Sequence, residues 1–380
     1  MQRRRLALVV LAASALGALT AELALRAVAR ATRRERGVAF DAELGWRMLP
    51  NVEKRGAFWG VATPARTNSH GWRDRETPWE SPDGRPRLVV VGDSFTFGVG
   101  VDADERWTDV LEELVPGLDV VNLGMNAIGT DQELLVLERD GLRYGPALVV
   151  CQLYDGNDFR DVSLSRNGYL PKPHFRLAGG ALELVPPRRD WDSRLRECGY
   201  LGELAFRVLR GASDYRVVTP EWRDADTTPL LAALLERMRT ASEGAGAGFL
   251  VLVVRSPGPP RFDALAPQLE RAGVETLDSG PLFADPAARA VRMLPDDHWT
   301  PAGHRAVAGA LAAELERRGG IDGLRRVRGL RRGGDSLCAG TACARPSSSA
   351  APRSRSPCCC SRCGACCARR TLHSLSLIHI

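Results

Sequence analysis

Residues 87–98, RLVVVGDSFTFG, decide the fold. Leu88 to Val91 run without a polar break into Gly92, and so short a Val-rich run fits a strand buried on both faces of a parallel sheet. The signature returns in LDVVNLG (118–124), ALVVCQLY (147–154) and FLVLVV (249–254). Helical patterns lie between these runs at 105–114, 131–142 and 229–241, and a last one covers about 301–317, with Thr300 as N-cap and Pro301 at its first position. Strand and helix in alternation predict an α/β fold, an open parallel sheet with helices on both faces.

The alternation is broken over about 161–223, which reads as an insertion above one end of the sheet. Within it HFRLAGGALELV (174–185) carries two alternating runs around Gly179 and Gly180, a β-hairpin pattern. Long insertions of this kind are often lids. Upstream, 37–86 is rich in Gly, Trp and Arg and reads as an irregular extension. The expected organisation is therefore a membrane-targeting segment at 1–36, this extension at 37–86, a catalytic domain at 87–318 holding the insertion, and a tail at 319–380.

The two ends carry the positive charge. Over 380 residues the net charge is +6, yet 1–36 hold +6 and 319–380 hold +9, which leaves the body at −9. An acidic body argues against a nucleic-acid groove, and no nucleic-acid partner is expected. After Arg3, Arg4 and Arg5 an apolar run extends from Leu6 to Ala21 and on to Leu25, interrupted by Glu22. It reads as an uncleaved anchor, because the small residue wanted before a cleavage after Ala21 is Leu19; a cleaved signal and an amphipathic surface helix are the alternatives. The expected placement is membrane-anchored with the catalytic domain outside the cytoplasm (periplasmic), secretion being the alternative. Arg26, Arg30, Arg33, Arg34 and Arg36 just after the run do not favour that orientation by the positive-inside count. Oligomeric state is not legible.

Eight of the ten cysteines fall between Cys338 and Cys367, in a stretch without helical or strand periodicity. CxxC spacings occur there (Cys360 to Cys363, Cys363 to Cys366), but not as two separated pairs around a foldable loop, so no zinc site is assigned. The closing LSLIHI (375–380) matches the translation of a common sequencing adapter, and the Arg/Cys/Ser-rich stretch before it a shifted frame of GC-rich DNA. The tail is read as disordered or artefactual and set outside the fold.

In open parallel sheets ligands bind beyond the carboxyl ends of the strands. There the chain places Ser94 after the first strand, Gly124 after the second, and Gly156, Asn157 and Asp158 after the third; LPDDHWTPAGH adds Asp296, Asp297 and His298. A serine alcohol needs a base, which His298 supplies; Asp296 would hold the imidazole tautomer, and the N–H groups of Ser94 and Gly124 with the amide of Asn157 would receive an oxyanion. These are the parts of an acyl-transfer site. Asp93 and Asp158 are read as solvated or turn-stabilising residues, with no cofactor and no metal expected. His304 is read as structural, His70 and His174 as surface or lid residues, and Cys151 as a buried thiol. Trp72 and Trp107 are read as core; for Trp299 a substrate wall and core packing stand level.

The four blocks resemble those of the SGNH or GDSL hydrolases, named for a Ser, a Gly, an Asn and a His, across Gly92 to His304. The resemblance implies a three-layer α/β/α flavodoxin-like fold, Ser94 as nucleophile, Gly124 and Asn157 as oxyanion donors and His298 as base. The usual DxxH block has Pro295 in the Asp position, and DDHW is similar instead to a DxH variant of relatives that acetylate exported polysaccharides, which selects Asp296 with Asp297 as alternate. NSHGWR (68–73) and GTDQE (129–133) also resemble bacterial membrane-linked members. The implied function is a serine esterase acting on ester groups, O-acetyl foremost, of a carbohydrate or cell-envelope substrate through an acyl-enzyme. A polysaccharide O-acetyltransferase with the same triad and a non-catalytic glycan-binding protein are the alternatives. A lipase is disfavoured because the insertion is rich in Arg and Pro. No GxSxG, GxGxxG or GxxxxGK[ST] motif occurs in a fitting context.

Overall fold

The computed structural model describes residues 2–31, 37–58, 61–167, 170–210, 217–218, 226–257 and 260–326. The chain opens with helix α1 (Gln2–Ala31), whose apolar side chains are exposed from Leu6 to Val28. Residues Gln2–Ala29 are long and apolar enough to cross a membrane, with a mean hydropathy of 2.0 in their most apolar window. The extension at 37–86, expected to be irregular, instead holds two antiparallel hairpins: β1 (Val38–Asp41) with β2 (Gly45–Met48), and β3 (Glu53–Phe58) with β4 (Val61–Arg66). Strands of four to six residues broken by Gly, Asp and Pro are too short for alternation to register in sequence.

The catalytic domain follows with β5 (Arg87–Val91), α2 (Ser94–Phe97), α3 (Trp107–Leu114), β6 (Asp119–Asn122), α4 (Thr130–Arg139), β7 (Leu148–Tyr154) and α5 (Asp158–Asp161). The insertion then contributes β8 (Leu164–Asn167), β9 (Leu170–Pro171), β10 (His174–Ala178), β11 (Ala181–Val185), α6 (Trp191–Glu197), α7 (Tyr200–Arg210) and β12 (Val217–Val218). The predicted hairpin is β10–β11, paired from His174↔Val185 to Ala178↔Ala181, with Gly179 and Gly180 at φ 58° and 84° in the turn. Positive φ at both turn residues is what a two-residue type I′ connection demands, so glycine is needed there. The domain closes with α8 (Thr228–Gly244), β13 (Gly248–Val254), α9 (Phe262–Arg271), β14 (Thr276–Asp278), α10 (Pro286–Arg292) and α11 (Pro301–Arg317), the last capped by Thr300 Oγ1, which accepts the Gly303 N–H at 3.2 Å.

The central sheet runs β14-β13-β7-β5-β6, every neighbouring pair parallel. In chain order this is the doubly wound arrangement whose direction of growth reverses between its first and third strands, here β5 and β7, and that reversal opens a crevice at their carboxyl ends. Alternate residues face opposite layers. Val89, Val91, Val121, Val251 and Val253 pack in one core with Leu134, Leu234 and Leu265 of α4, α8 and α9. Leu88, Val90, Val120, Leu250 and Leu252 pack in the other with Trp107 of α3 and Leu311 of α11. Each fully buried aliphatic side chain contributes about 1.5–3 kcal/mol relative to exposure, so the two cores fix the strand ends that carry the site. The fold is the expected three-layer α/β/α sandwich. Its fifth strand, β14, and α9 were not foreseen: β14 is a three-residue edge, and Pro267 inside α9 masks the helical period. Helical residues also resume at 320–326, with Leu324 buried in the second core, so the folded body passes residue 318. The rest of the expected tail, with its cysteines, lies outside the described residues.

Candidate active site

Ser94 is the first residue of α2, directly beyond β5. The turn into it requires glycine: a Cβ on Gly92 would stand 2.3 Å from Thr96 Oγ1 and 2.7 Å from Gln152 Oε1. Asp93 is the N-cap, its Oδ1 accepting the Phe95 N–H at 3.0 Å. On the far side of α2 the buried guanidinium of Arg73, from the NSHGWR stretch, donates to the carbonyls of Phe97 (2.7 Å), Gly98 (2.6 Å) and Val101 (2.7 Å). Burial, with Arg106 nearby, pulls Arg73 down to about 9. The segment holding the serine is thus pinned at both ends.

His298 arrives on the loop between α10 and α11, which is closed by Asp297 N–H on Leu294 O (3.0 Å) and Leu294 N–H on His298 O (2.7 Å). Its Nε2 is 2.8 Å from Ser94 Oγ and its Nδ1 is 3.0 Å from Asp296 Oδ2. Asp296 Oδ1 also accepts the His298 backbone N–H at 3.3 Å. Asp297 turns away at φ 68° and accepts from Arg289 at 3.1 Å, so of the two adjacent acids the structure brings Asp296 to the ring.

Asn157, after β7, donates through Nδ2 to Asp93 Oδ2 at 3.0 Å, which leaves its second amide hydrogen uncommitted among the described residues. Gly156 before it must be glycine, since a Cβ would lie 2.4 Å from Cζ of Tyr154. Gly124, expected as an oxyanion donor, stands in the loop after β6. Its N–H donates to Asn122 Oδ1 at 2.8 Å, and a Cβ there would lie 2.5 Å from the Phe97 nitrogen. It lets α2 approach the loop after β6, and its one hydrogen is engaged. In the same loop Ala127 is held at φ 66°, a conformation alanine rarely adopts, its carbonyl accepting from Asn167 Nδ2 at 2.9 Å.

Beneath these groups Asp93, Glu133 and Asp158 are buried together. Burial, compounded by the neighbouring carboxyls, pushes Glu133 and Asp158 well above the usual carboxylate range. Asp158 Oδ2 accepts the Tyr154 N–H at 2.7 Å and Cys151 Sγ meets Glu133 Oε2 at 3.4 Å. Asp93 and Asp158 therefore do stabilise turns, but they are not solvated. The remaining side chains Asp131 and Gln132 of GTDQE serve packing: Asp131 pairs with the buried Lys172, and Gln132 Nε2 donates to Leu44 O at 2.7 Å.

Trp299 is only 1% exposed, stacked on Phe283 with centroids 5.9 Å apart and edge-on to His304, so it is core and not a substrate wall. Trp72 and Trp107 are also core. His304 accepts the Trp107 N–H at 3.2 Å, and burial pushes it down to about 3. His70 lies on Trp79 with its Nδ1 3.0 Å from the Tyr144 hydroxyl, and His174 is buried in the insertion. A cavity of about 880 Å³ bordered by Asn51, Arg66, Arg73, Asp102, Arg106 and Asp109 includes none of the Ser94–His298 constellation.

Strand order, crevice and a Ser–His–Asp relay define a hydrolase. The chain belongs to the GDSL-like lipase/acylhydrolase family, which matches residues 90–306, and it is an ester-bond hydrolase of that SGNH type. Among solved structures it is similar to TesA (18% identity, covering 61% of this chain and 98% of that one, TM-score 0.37). The esterase EstA from Pseudoalteromonas sp. is similar at 13% identity (61% and 97%, TM-score 0.37). A two-domain esterase active on acetylated mannans is similar at 12% (61% and 49%, TM-score 0.37). No curated protein matches in sequence.

Proposed function

We propose that this chain is a serine esterase that removes acyl groups, acetyl foremost, from a carbohydrate or other cell-envelope ester through an acyl-enzyme on Ser94. The observation that carries the reading is the continuous path Asp296 Oδ2, His298 Nδ1, His298 Nε2, Ser94 Oγ, with steps of 3.0 and 2.8 Å. The Ser94 hydroxyl gives its proton to His298 Nε2 as Oγ attacks the ester carbonyl, and Asp296 stabilises the imidazolium. His298 then returns that proton to the leaving alkoxide, and water, deprotonated by the same ring, hydrolyses the acyl-enzyme. The tetrahedral oxyanion is received by the Ser94 N–H and the free amide hydrogen of Asn157. The third expected donor, the Gly124 N–H, meets Asn122 Oδ1 at 2.8 Å in the free enzyme.

The rim favours a polar substrate. Beside His298 stand the partly exposed Arg289–Asp297 pair and Tyr154, whose ring packs on Phe95 with centroids 4.7 Å apart. The Asp-x-His spacing, resembling that of polysaccharide-acetylating relatives, favours transfer to a sugar hydroxyl as the second reading; it uses the same acyl-enzyme. The test is turnover of p-nitrophenyl acetate by the full chain and by Ser94→Ala, with fluorophosphonate labelling read by peptide mass. The expected result is loss of turnover in the variant and a single adduct on Ser94. Equal rates from the two proteins remove the proposed nucleophile, and acetylated sugar formed in place of acetate when a glycan acceptor is added selects the transferase.

A further inference from the structure

The insertion helices α6 and α7 are tied to the N-terminal helix through α7. Glu22 is the first charged residue after the run Leu6–Ala21. Sixteen helical residues rise about 24 Å, so a helix that crosses a hydrocarbon core about 30 Å thick with this run at its centre brings the carboxylate within about 3 Å of the core's edge. Its Oε2 accepts the backbone N–H of Leu201, in the first turn of α7, at 2.9 Å, and its Oε1 accepts from Arg26 at 2.8 Å. Gly199 leaves room for the contact, since a Cβ there would stand 2.5 Å from Glu22 Oε1. The side chain of Glu22 is accordingly 13% exposed, against 62% for Arg26. Any group hydrogen-bonded to Glu22 shares its depth, so the start of α7 lies at the interface.

The rest of the segment has the composition that depth requires. Gly202 packs against Leu195 of α6 and Phe206 is buried, while Leu204 and Val208, one turn apart, are 51% and 77% exposed. On α6, which packs against α7, Trp191 is 55% exposed, and Arg188 just before it and Arg194 within it are exposed. Elsewhere in the body large exposed apolar side chains stand singly, as Leu114, Leu184 and Val291 do, and need no partner. An aromatic, two aliphatics and flanking arginines beside a membrane helix match an interfacial amphipathic element over anionic lipid.

We propose that α6–α7 lies in the headgroup region of the bilayer entered by α1, with Leu204, Val208 and Trp191 toward the acyl chains and the arginines toward phosphate. The proposal rests on the reading of α1 as a membrane helix. It is tested with the full chain in vesicles of phosphatidylcholine and phosphatidylglycerol, carrying a benzophenone amino acid in place of Leu16, Leu204 or Val291, irradiated and read by mass spectrometry. Lipid adducts are expected at 16 and 204, with 204 roughly tenfold or more above 291. Lipid adducts at 16 with none at 204 overturn the proposal while leaving the anchor in place, and chain-to-chain adducts at 204 assign the face to a second copy instead. No lipid adduct at 16 removes the anchor reading and the proposal with it.

Discussion

Asp93→Ala tests how the Asn157 amide is held. Two hydrogen bonds end on the Asp93 carboxylate, from the Phe95 N–H at 3.0 Å and from Asn157 Nδ2 at 3.0 Å, so the substitution frees the amide to rotate. Outright loss of one oxyanion donor costs about 10² to 10³ in kcat, roughly 2.7–4 kcal/mol. An amide that is present but unrestrained keeps part of this, and Asp93→Ala is expected to lower kcat about 10- to 100-fold with KM little changed. The loss of a helix cap costs about 1 kcal/mol of stability, small enough for urea unfolding to show an intact fold. The decisive measurement is a double-mutant cycle with Asn157→Ala, using initial rates on p-nitrophenyl acetate. Because Asp93 acts through Asn157, the double variant is expected to be no slower than Asn157→Ala alone. Rate losses that multiply would refute the argument and make Asp93 an independent support of the Ser94 turn.

Two further outcomes follow from buried groups and a third from a strained one. His304 takes a proton near 6.5 when unfolded and only at about 3 when folded, so its contribution is complete above pH 6.5 and drains as the pH falls, by an amount on the order of 4 kcal/mol. His304→Asn, whose amide oxygen can still accept the Trp107 N–H, is expected to flatten the acid limb of Tm against pH; parallel curves for the two proteins would count against this. Glu133 has a raised folded pKa, so what it contributes below the unfolded value of 4.5 is lost as the pH rises. Glu133→Gln should therefore raise Tm at pH 8 and barely move it at pH 4, and an equal gain at both would defeat the reasoning. Ala127→Gly relieves a left-handed alanine worth about 1–2 kcal/mol against a chain-entropy cost of about 0.4–1, a net gain of about 0.5–1 kcal/mol in urea unfolding with kcat unchanged; destabilisation would show that the φ of 66° is not strained.

Four of the five sheet strands were legible because strands buried on both faces are written as unbroken Val-rich runs; β14, three residues long and half exposed, has no such run. Ser94 and Asn157 were legible because a doubly wound sheet displays its chemistry just past strand ends, and His298 because it stands beside two acids just before a Thr-Pro helix start. The relation between Asp93 and Asn157 was not, since it joins residues 64 apart and depends on side-chain rotamers. Gly124 shows the limit most clearly. A glycine after a strand reads equally well as a donor of its N–H or as a place where two backbones touch, and the short approach to Phe97 that makes it the second is invisible in sequence. Ala127 carried no sequence signal at all, because alanine gives no warning of positive φ. Trp299 was ambiguous for a related reason: burial depends on Phe283 and His304, neither adjacent to it in the chain.

The base lies 204 residues downstream of the nucleophile, on the loop that leads into α11. During vectorial synthesis the sheet strands that display the serine emerge and begin to fold well before that loop exists. On the proposed mechanism the nascent polypeptide is chemically silent until α11 docks on α3, so a premature stop anywhere before His298 yields a molecule with an alcohol and nothing to ionise it. Activity then reports that translation ran past the end of the catalytic core.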